Sequence, residues 1–182
     1  ESIQQGKIWQ NMGLEVSIST NISASDITSL QLPEQMSELL TDKQLDSHRL
    51  TLEVTESALM GELVTSLDIL TRLRLKGVGL SIDDFGTGYS SLSQLHRIPF
   101  TELKVDRSFV SNITADAEGK AIVKTCIMLG HELNMTVVAE GVETDAQLSM
   151  LKELGCDIAQ GYLFSKPIKA LELEKMLPLW LK

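Results

Sequence analysis

Two hydrophobic periods take turns along the chain. Apolar residues at 63, 64, 67, 70, 73 and 75 recur at helical spacing and predict a helix over Leu63–Leu75, closed by Gly77. Leu50–Thr55 alternates with period two: Leu50, Leu52 and Val54 share one face, Thr51 and Glu53 the other. The same alternation runs from Val78 to Asp83, where Gly79, Ser81 and Asp83 share a face, and from Leu14 to Asn21, where Ser17, Ser19 and Asn21 do. Shorter strands are predicted at Leu103–Val105, Met135–Ala139 and Cys156–Ala159. Further helices are predicted over Leu32–Leu40, where Pro33 suits the first turn, and over Ala121–Leu133, Ala146–Leu154 and Leu171–Leu177.

Repeated strand–helix units predict an α/β fold with a parallel sheet. A sheet covered by helices on both faces should be apolar on both. Here one face is small and polar and ends in a functional group, which fits the inside of a (β/α)8 TIM-like barrel with its site at the C-terminal rim. The sequence supplies about six strands, whereas a full barrel needs eight and about 250 residues. The expectation is therefore one domain over residues 1–182, the C-terminal part of a barrel that is incomplete at the N-terminus.

Composition narrows the function. The formal net charge of −9 disfavours nucleic acid polymers and anionic membrane surfaces. It leaves room for a small phosphorylated ligand held through metal ions. Cys126 and Cys156 lack zinc or redox spacing, which points to a reducing, cytoplasmic compartment. No apolar stretch is long enough to insert in a membrane, although the parent polypeptide could be anchored by another part. The chain opens at Glu1 without a leader pattern and reads as a piece of a longer polypeptide.

Candidate chemistry gathers at the strand ends. Asn21, Glu53, Asp83, Asp84, Lys104, Glu140 and Gln160 all lie at or near them. Glu53, Asp83 and Asp84 offer hard oxygens and Asn21 a neutral carbonyl, a set suited to Mg²⁺ or Mn²⁺. A double acid can bridge two ions roughly 3.5–4 Å apart, the arrangement used for in-line attack at phosphorus. Lys104 could stabilise phosphate charge or hold a water, and Glu140 could accept its proton. Each residue also has a plain structural explanation. Asp84 alone favours a helix cap or solvated loop by roughly two to one. Gln160 alone reads as a turn residue and Asn21 as a cap. Glu53 in an apolar run is harder to set aside, because an unpaired buried carboxylate is costly. Gly86-Thr87-Gly88 lacks the further glycine of a dinucleotide fingerprint and reads as a flexible loop over the acid pair. Glu56 reads as a helix-start acid or a support for that loop. His48, His96 and His131 share no metal spacing.

Taken in order, the segments Asn21-Ile22-Ser23-Ala24, Leu52-Glu53-Val54-Thr55-Glu56-Ser57, Asp83-Asp84-Phe85-Gly86-Thr87-Gly88-Tyr89, Leu103-Lys104-Val105-Asp106-Arg107-Ser108-Phe109, Ala139-Glu140-Gly141-Val142-Glu143 and Gln160-Gly161-Tyr162-Leu163-Phe164 resemble the EAL domain family. That family comprises bacterial phosphodiesterases of cyclic di-GMP. The resemblance implies a (β/α)8-like barrel whose first strand runs antiparallel to the rest. It implies one metal on Asn21, Glu53 and Asp83 and a second on Asp83 and Asp84. Lys104 and Glu140 would handle the attacking water, and Gln160 would order the metal-site waters. Glu56 and Glu143 would support the loop carrying Gly86 and Tyr89. The product would be linear pGpG. The Glu-Ala-Leu signature, whose Glu is a metal ligand, is not in the chain and would precede it. The fragment alone is therefore expected to be inactive although its parent is an enzyme.

Two other readings remain open from the sequence. A non-catalytic cyclic di-GMP receptor would use the same pocket, but such members typically lose metal ligands or the Lys/Glu pair kept here. A regulatory dimerisation module would use residues 86–109 as the homodimer contact. Sensory or GGDEF-type domains are expected in the parent polypeptide.

Overall fold

The computed structural model describes residues 1–60, 63–86, 95 and 97–180. Among the described residues six strands form one sheet: β1 Ile18–Asn21, β2 Leu50–Thr55, β3 Gly79–Phe85, β4 Glu102–Val105, β5 Thr136–Ala139 and β6 Ile158–Ala159. Every neighbouring pair is parallel, and the strands lie side by side in chain order. A doubly wound sheet would reverse direction at some point. Unbroken order is the winding of a barrel. The helices are α1 Ser2–Asn11, α2 Leu32–Lys43, α3 Leu63–Leu75, α4 Arg107–Ser111, α5 Ala117–Glu132, α6 Asp145–Glu153 and α7 Ala170–Trp180.

The sheet curls far enough to bring its two flanks together. Helix α1 leads into the edge strand β1, and α7 follows the opposite edge strand β6. Glu174 on α7 nonetheless accepts hydrogen bonds from Gln5 Nε2 at 3.1 Å and Trp9 Nε1 at 3.0 Å on α1. The result is an α/β half-barrel.

One face of the sheet makes the main core. Leu50, Leu52, Val54, Leu80, Ile82, Leu103, Val105, Val137 and Ala139 are buried in one cluster with Ile69, Leu70 and Leu73 of α3 and Val123 and Ile127 of α5. Each such Val, Leu or Ile side chain contributes about 1.5–3 kcal/mol of transfer free energy. Alternation then leaves Glu53, Ser81, Asp83, Glu102 and Lys104 on the inner face.

β2 and α3 occupy the bounds expected from their periodicity. Most of the other elements differ at one or both ends, β6 being only Ile158–Ala159 and α5 starting at Ala117, and three differences have a clear physical origin. The strand expected over Leu14–Asn21 starts at Ile18, because its partner strand begins opposite it at Leu50. Helix α1 was not expected; Gly6 sits mid-helix and its apolar residues are sparse. Tertiary contacts support α1: Gly6 lies against Ile18 and Leu45, and Trp9 is tied to Glu174. Helix α4 was also not expected, and it is capped by Asp106, whose carboxylate accepts from Ser108 N at 2.9 Å.

Candidate active site

Lys104 stands at the centre of the inner face and is 4% exposed. Its Nζ lies 3.0 Å from Glu53 Oε2, 3.3 Å from Asp83 Oδ1 and 2.6 Å from Glu140 Oε1. Three adjacent strands and the end of a fourth thus converge on one ammonium. Burial alone would push the Lys104 pKa down, but hydrogen bonds and charge from Glu140 and Glu53 outweigh it and raise it. Lys104 is accordingly a fixed cation among acids at neutral pH, not a base.

Asp83 and Asp84 are consecutive, so strand alternation would send them to opposite faces. A bulge changes this. Ile82 pairs with Leu103 and Phe85 with Val105, so two residues of β3 face the single Lys104 of β4. Asp84 takes up the extra residue with φ +55°, a left-handed conformation that Asp tolerates. One carboxylate oxygen from each of Asp83, Asp84 and Glu140 lies within 4.8 Å of the others, as a single cation would require. Burial raises the Asp84 pKa, and the charges of Asp83 and Asp106 add to it. Burial also raises that of Glu140, with Lys104 opposing and Asp83 and Glu53 adding. Burial first, and repulsion between neighbouring carboxylates second, disfavour the charged forms here, and the hard oxygen donors suit a divalent cation.

The remaining expected residues fall into two groups. Glu56 is buried and its Oε2 accepts from the Gly86 backbone N–H at 3.3 Å. Gly86 has φ +98°, and a side chain there would press on the Phe109 ring, 3.0 Å from the Cβ position. Asn21 ends β1 opposite Glu53 in register, but it is exposed and makes no side-chain contact with the acids among the described residues. Gln160 follows β6 and is also exposed; its backbone bridges Ala139 O and Val142 N. Glu143 is exposed, and among the described residues only its backbone N–H is engaged, by Gln147 Oε1 at 2.8 Å. Tyr89 lies outside the described residues, as do most of the loop it belongs to and His96.

Two acids near the site were not singled out from sequence. Glu102 lies two residues before Lys104 on the same strand face, which was the available signal. Burial raises its pKa, and the charges of Glu53 and Asp83 add to this. Asp106 borders Asp84 while capping α4, and it looks like an ordinary helix cap in sequence.

The EAL domain family model matches residues 1–167. The chain belongs to the EAL domain family. A curated relative, the bifunctional diguanylate cyclase/cyclic di-GMP phosphodiesterase MucR of Pseudomonas aeruginosa, is 43% identical over 174 residues, covering 95% of this chain and 25% of MucR. Among solved structures, the MucR phosphodiesterase in its c-di-GMP complex superposes with a TM-score of 0.89 at 43% identity, covering 94% of this chain and 70% of that one. The manganese/cyclic di-GMP complex of Klebsiella pneumoniae BlrP1 superposes with a TM-score of 0.82 at 31% identity, covering 91% of this chain and 42% of that one. The chain spans about a fifth to a quarter of the length of the first curated relatives it matches. In this EAL domain the acids sit at the C-terminal ends of parallel strands, where TIM-like barrels carry their sites.

Proposed function

We propose that this EAL domain hydrolyses cyclic di-GMP to linear pGpG with Mg²⁺ or Mn²⁺ as cofactor. The observation that carries the reading is the convergence of Asp83, Asp84 and Glu140 on one cation-sized position beside the buried Lys104. The names of MucR and the BlrP1 complex support the choice of nucleotide and the choice of metal. Asp83 and Asp84 would hold the metal together with Glu140, and Glu53 and Asn21 would complete a second position that shares Asp83. When bound, such ions polarise a phosphoryl oxygen and lower the pKa of water.

The chain's own residues supply the rest. Lys104 keeps Glu53, Asp83 and Glu140 at fixed separations and places positive charge beside the reacting phosphate. Glu140 accepts the proton of the attacking water. Attack on one phosphodiester breaks its P–O3′ bond; the 3′ oxygen leaves as a hydroxyl, and the phosphate stays on the 5′ oxygen. Gln160 would help to order water at the metal site. Glu56 holds the start of the loop after Asp84 through Gly86, and Glu143 supports it from the β5–α6 connection.

The cyclase in the name of MucR supports a GGDEF-type neighbour in the parent polypeptide. The homodimer reading falls on residues 86–109, of which 87–94 and 96 lie outside the described residues. Among the described residues no helix is long and apolar enough to cross a membrane.

The test is product analysis after the parent polypeptide is incubated with cyclic di-GMP in Mg²⁺, Mn²⁺ or EDTA. Metal-dependent appearance of pGpG supports the reading. Binding of the nucleotide without cleavage in either metal overturns it in favour of a receptor.

A further inference from the structure

The parallel register places Asn21, Glu53, Ser81, Glu102 and Thr136 in one row across β1 to β5. Ser81 therefore stands between two acids on the inner face, with Glu53 on one side and Glu102 on the other. It is 0% exposed. Among the described residues its Oγ is the one buried side-chain polar atom without a hydrogen bond. Buried hydroxyls in folded proteins nearly always have a partner, so an orphan in this row calls for a reason.

Glu102 is an acid that the proposed reaction leaves unused. It is half-buried and lies two residues before Lys104 on the same strand face. Lys104 Nζ nonetheless turns to Glu53, Asp83 and Glu140, and Glu102 has no ion pair of its own among the described residues. Burial raises the Glu102 pKa; the Ser81 hydroxyl opposes this, and the charge of Glu53 adds to it. Ser81 is thus near enough to favour the charged form of Glu102, although no hydrogen bond closes between them.

A serine hydroxyl has one proton and donates to one acceptor at a time. Donated to Glu102, that proton leaves the lone pairs of Glu53 to Lys104 Nζ, at 3.0 Å, and to a metal. Donated to Glu53, it occupies one of those lone pairs and competes with the metal for it. We infer that Glu102 is a positioning residue for the metal site: it draws the Ser81 proton away from Glu53 and keeps Glu53 free to bind a divalent cation. The inference rests on the metal position proposed above for Glu53. It works through a hydrogen bond and not through charge, so an uncharged acceptor at position 102 serves as well. Partners that orient a metal ligand in this way are worth about 10–100-fold in metal affinity.

The experiment uses the parent polypeptide as wild type, Glu102→Gln, Glu102→Ala, Ser81→Ala and the double variant Ser81→Ala/Glu102→Ala. Mn²⁺ binding is measured by calorimetry, and turnover of cyclic di-GMP is followed against Mn²⁺ concentration. Glu102→Ala is expected to weaken Mn²⁺ binding by about tenfold or more. The Mn²⁺ concentration for half-maximal turnover rises by the same factor, while kcat at saturating Mn²⁺ changes little. Glu102→Gln stays near wild type, because its amide oxygen still accepts from Ser81. Ser81→Ala also stays near wild type, and adding it to Glu102→Ala restores binding, since no hydroxyl remains to compete. A loss in Glu102→Gln as large as in Glu102→Ala overturns the inference, because charge would then be what acts. A double variant as weak as Glu102→Ala overturns it too, as does unchanged binding in Glu102→Ala. Wild type that binds Mn²⁺ without cleaving cyclic di-GMP sinks the proposed hydrolysis and leaves the calorimetric comparison as the test of Glu102. Wild type that binds no Mn²⁺ sinks both.

Discussion

Asp84 shares a cation-sized position with its neighbour Asp83, although consecutive strand residues normally point apart. The one-residue slip between Ile82 and Phe85 is what brings them together, and the left-handed backbone of Asp84 is part of it. A residue that cannot hold φ +55° should therefore disturb the bulge as well as the charge. Asp84→Asn keeps the conformation, and its stability in chemical denaturation should stay near wild type. Asp84→Val should cost about 1–2 kcal/mol more, since a β-branched residue is strained there. Both should weaken Mn²⁺ binding in calorimetry. Equal stability of the two variants would contradict the bulge argument.

Lys104 contacts Glu53, Asp83 and Glu140 at once. Lys104→Met leaves these acids crowded with no protein cation between them. Without metal the variant should be less stable by about 3–5 kcal/mol, the usual cost of breaking a buried ion pair. Mg²⁺ should restore part of the loss, so the melting temperature of the variant should depend on Mg²⁺ more steeply than that of wild type. The same metal response in both would mean that Lys104 and the ions do not neutralise the same acids.

Glu56 accepts from Gly86 at the point where the chain leaves the acid pair. Glu56→Ala removes that acceptor, and hydrogen bonds to charged groups are worth about 1.5–3 kcal/mol. Hydrogen exchange at the Gly86 amide should accelerate by roughly tenfold or more while amides in β2 and α3 keep their protection. Uniform acceleration would mark a global loss of stability instead.

Acid sensitivity has a source away from the site. Burial would raise the Asp157 pKa, but the Val137 N–H at 2.8 Å and His131 at 2.9 Å bring it below its ordinary value. A carboxylate with a depressed folded pKa contributes stability above its unfolded value, near pH 4, and loses it as pH falls through the folded one. Asp157→Asn should therefore show a flatter decline of stability below about pH 4 than wild type. Parallel declines would remove Asp157 from the account.

Much of the fold was legible because strong periodicity decided it. Leu63–Leu75 and Leu50–Thr55 carry enough apolar residues at one spacing for burial to follow. The polar inner face of the strands also distinguished a barrel from a doubly wound sheet. Helix α1 was hidden because its support comes from residues far along the chain, Leu45 and Glu174. The acids Glu53, Asp83 and Glu140 and the cation Lys104 were visible as strand-end groups, and the structure brings them together. Nothing in the sequence revealed the bulge, because a register slip depends on the partner strand. Glu102 and Asp106 were passed over because their significance lies in which charges sit across the sheet from them.

The most direct measurement is turnover of cyclic di-GMP by the parent polypeptide and its Glu53→Gln and Asp83→Asn variants, in Mg²⁺ or Mn²⁺ and again in EDTA. The account predicts pGpG from wild type only with metal, and at least a hundredfold slower formation by both variants, as expected when a group that stabilises transition-state charge is lost. Undiminished hydrolysis in EDTA, or by either variant with metal, would contradict it.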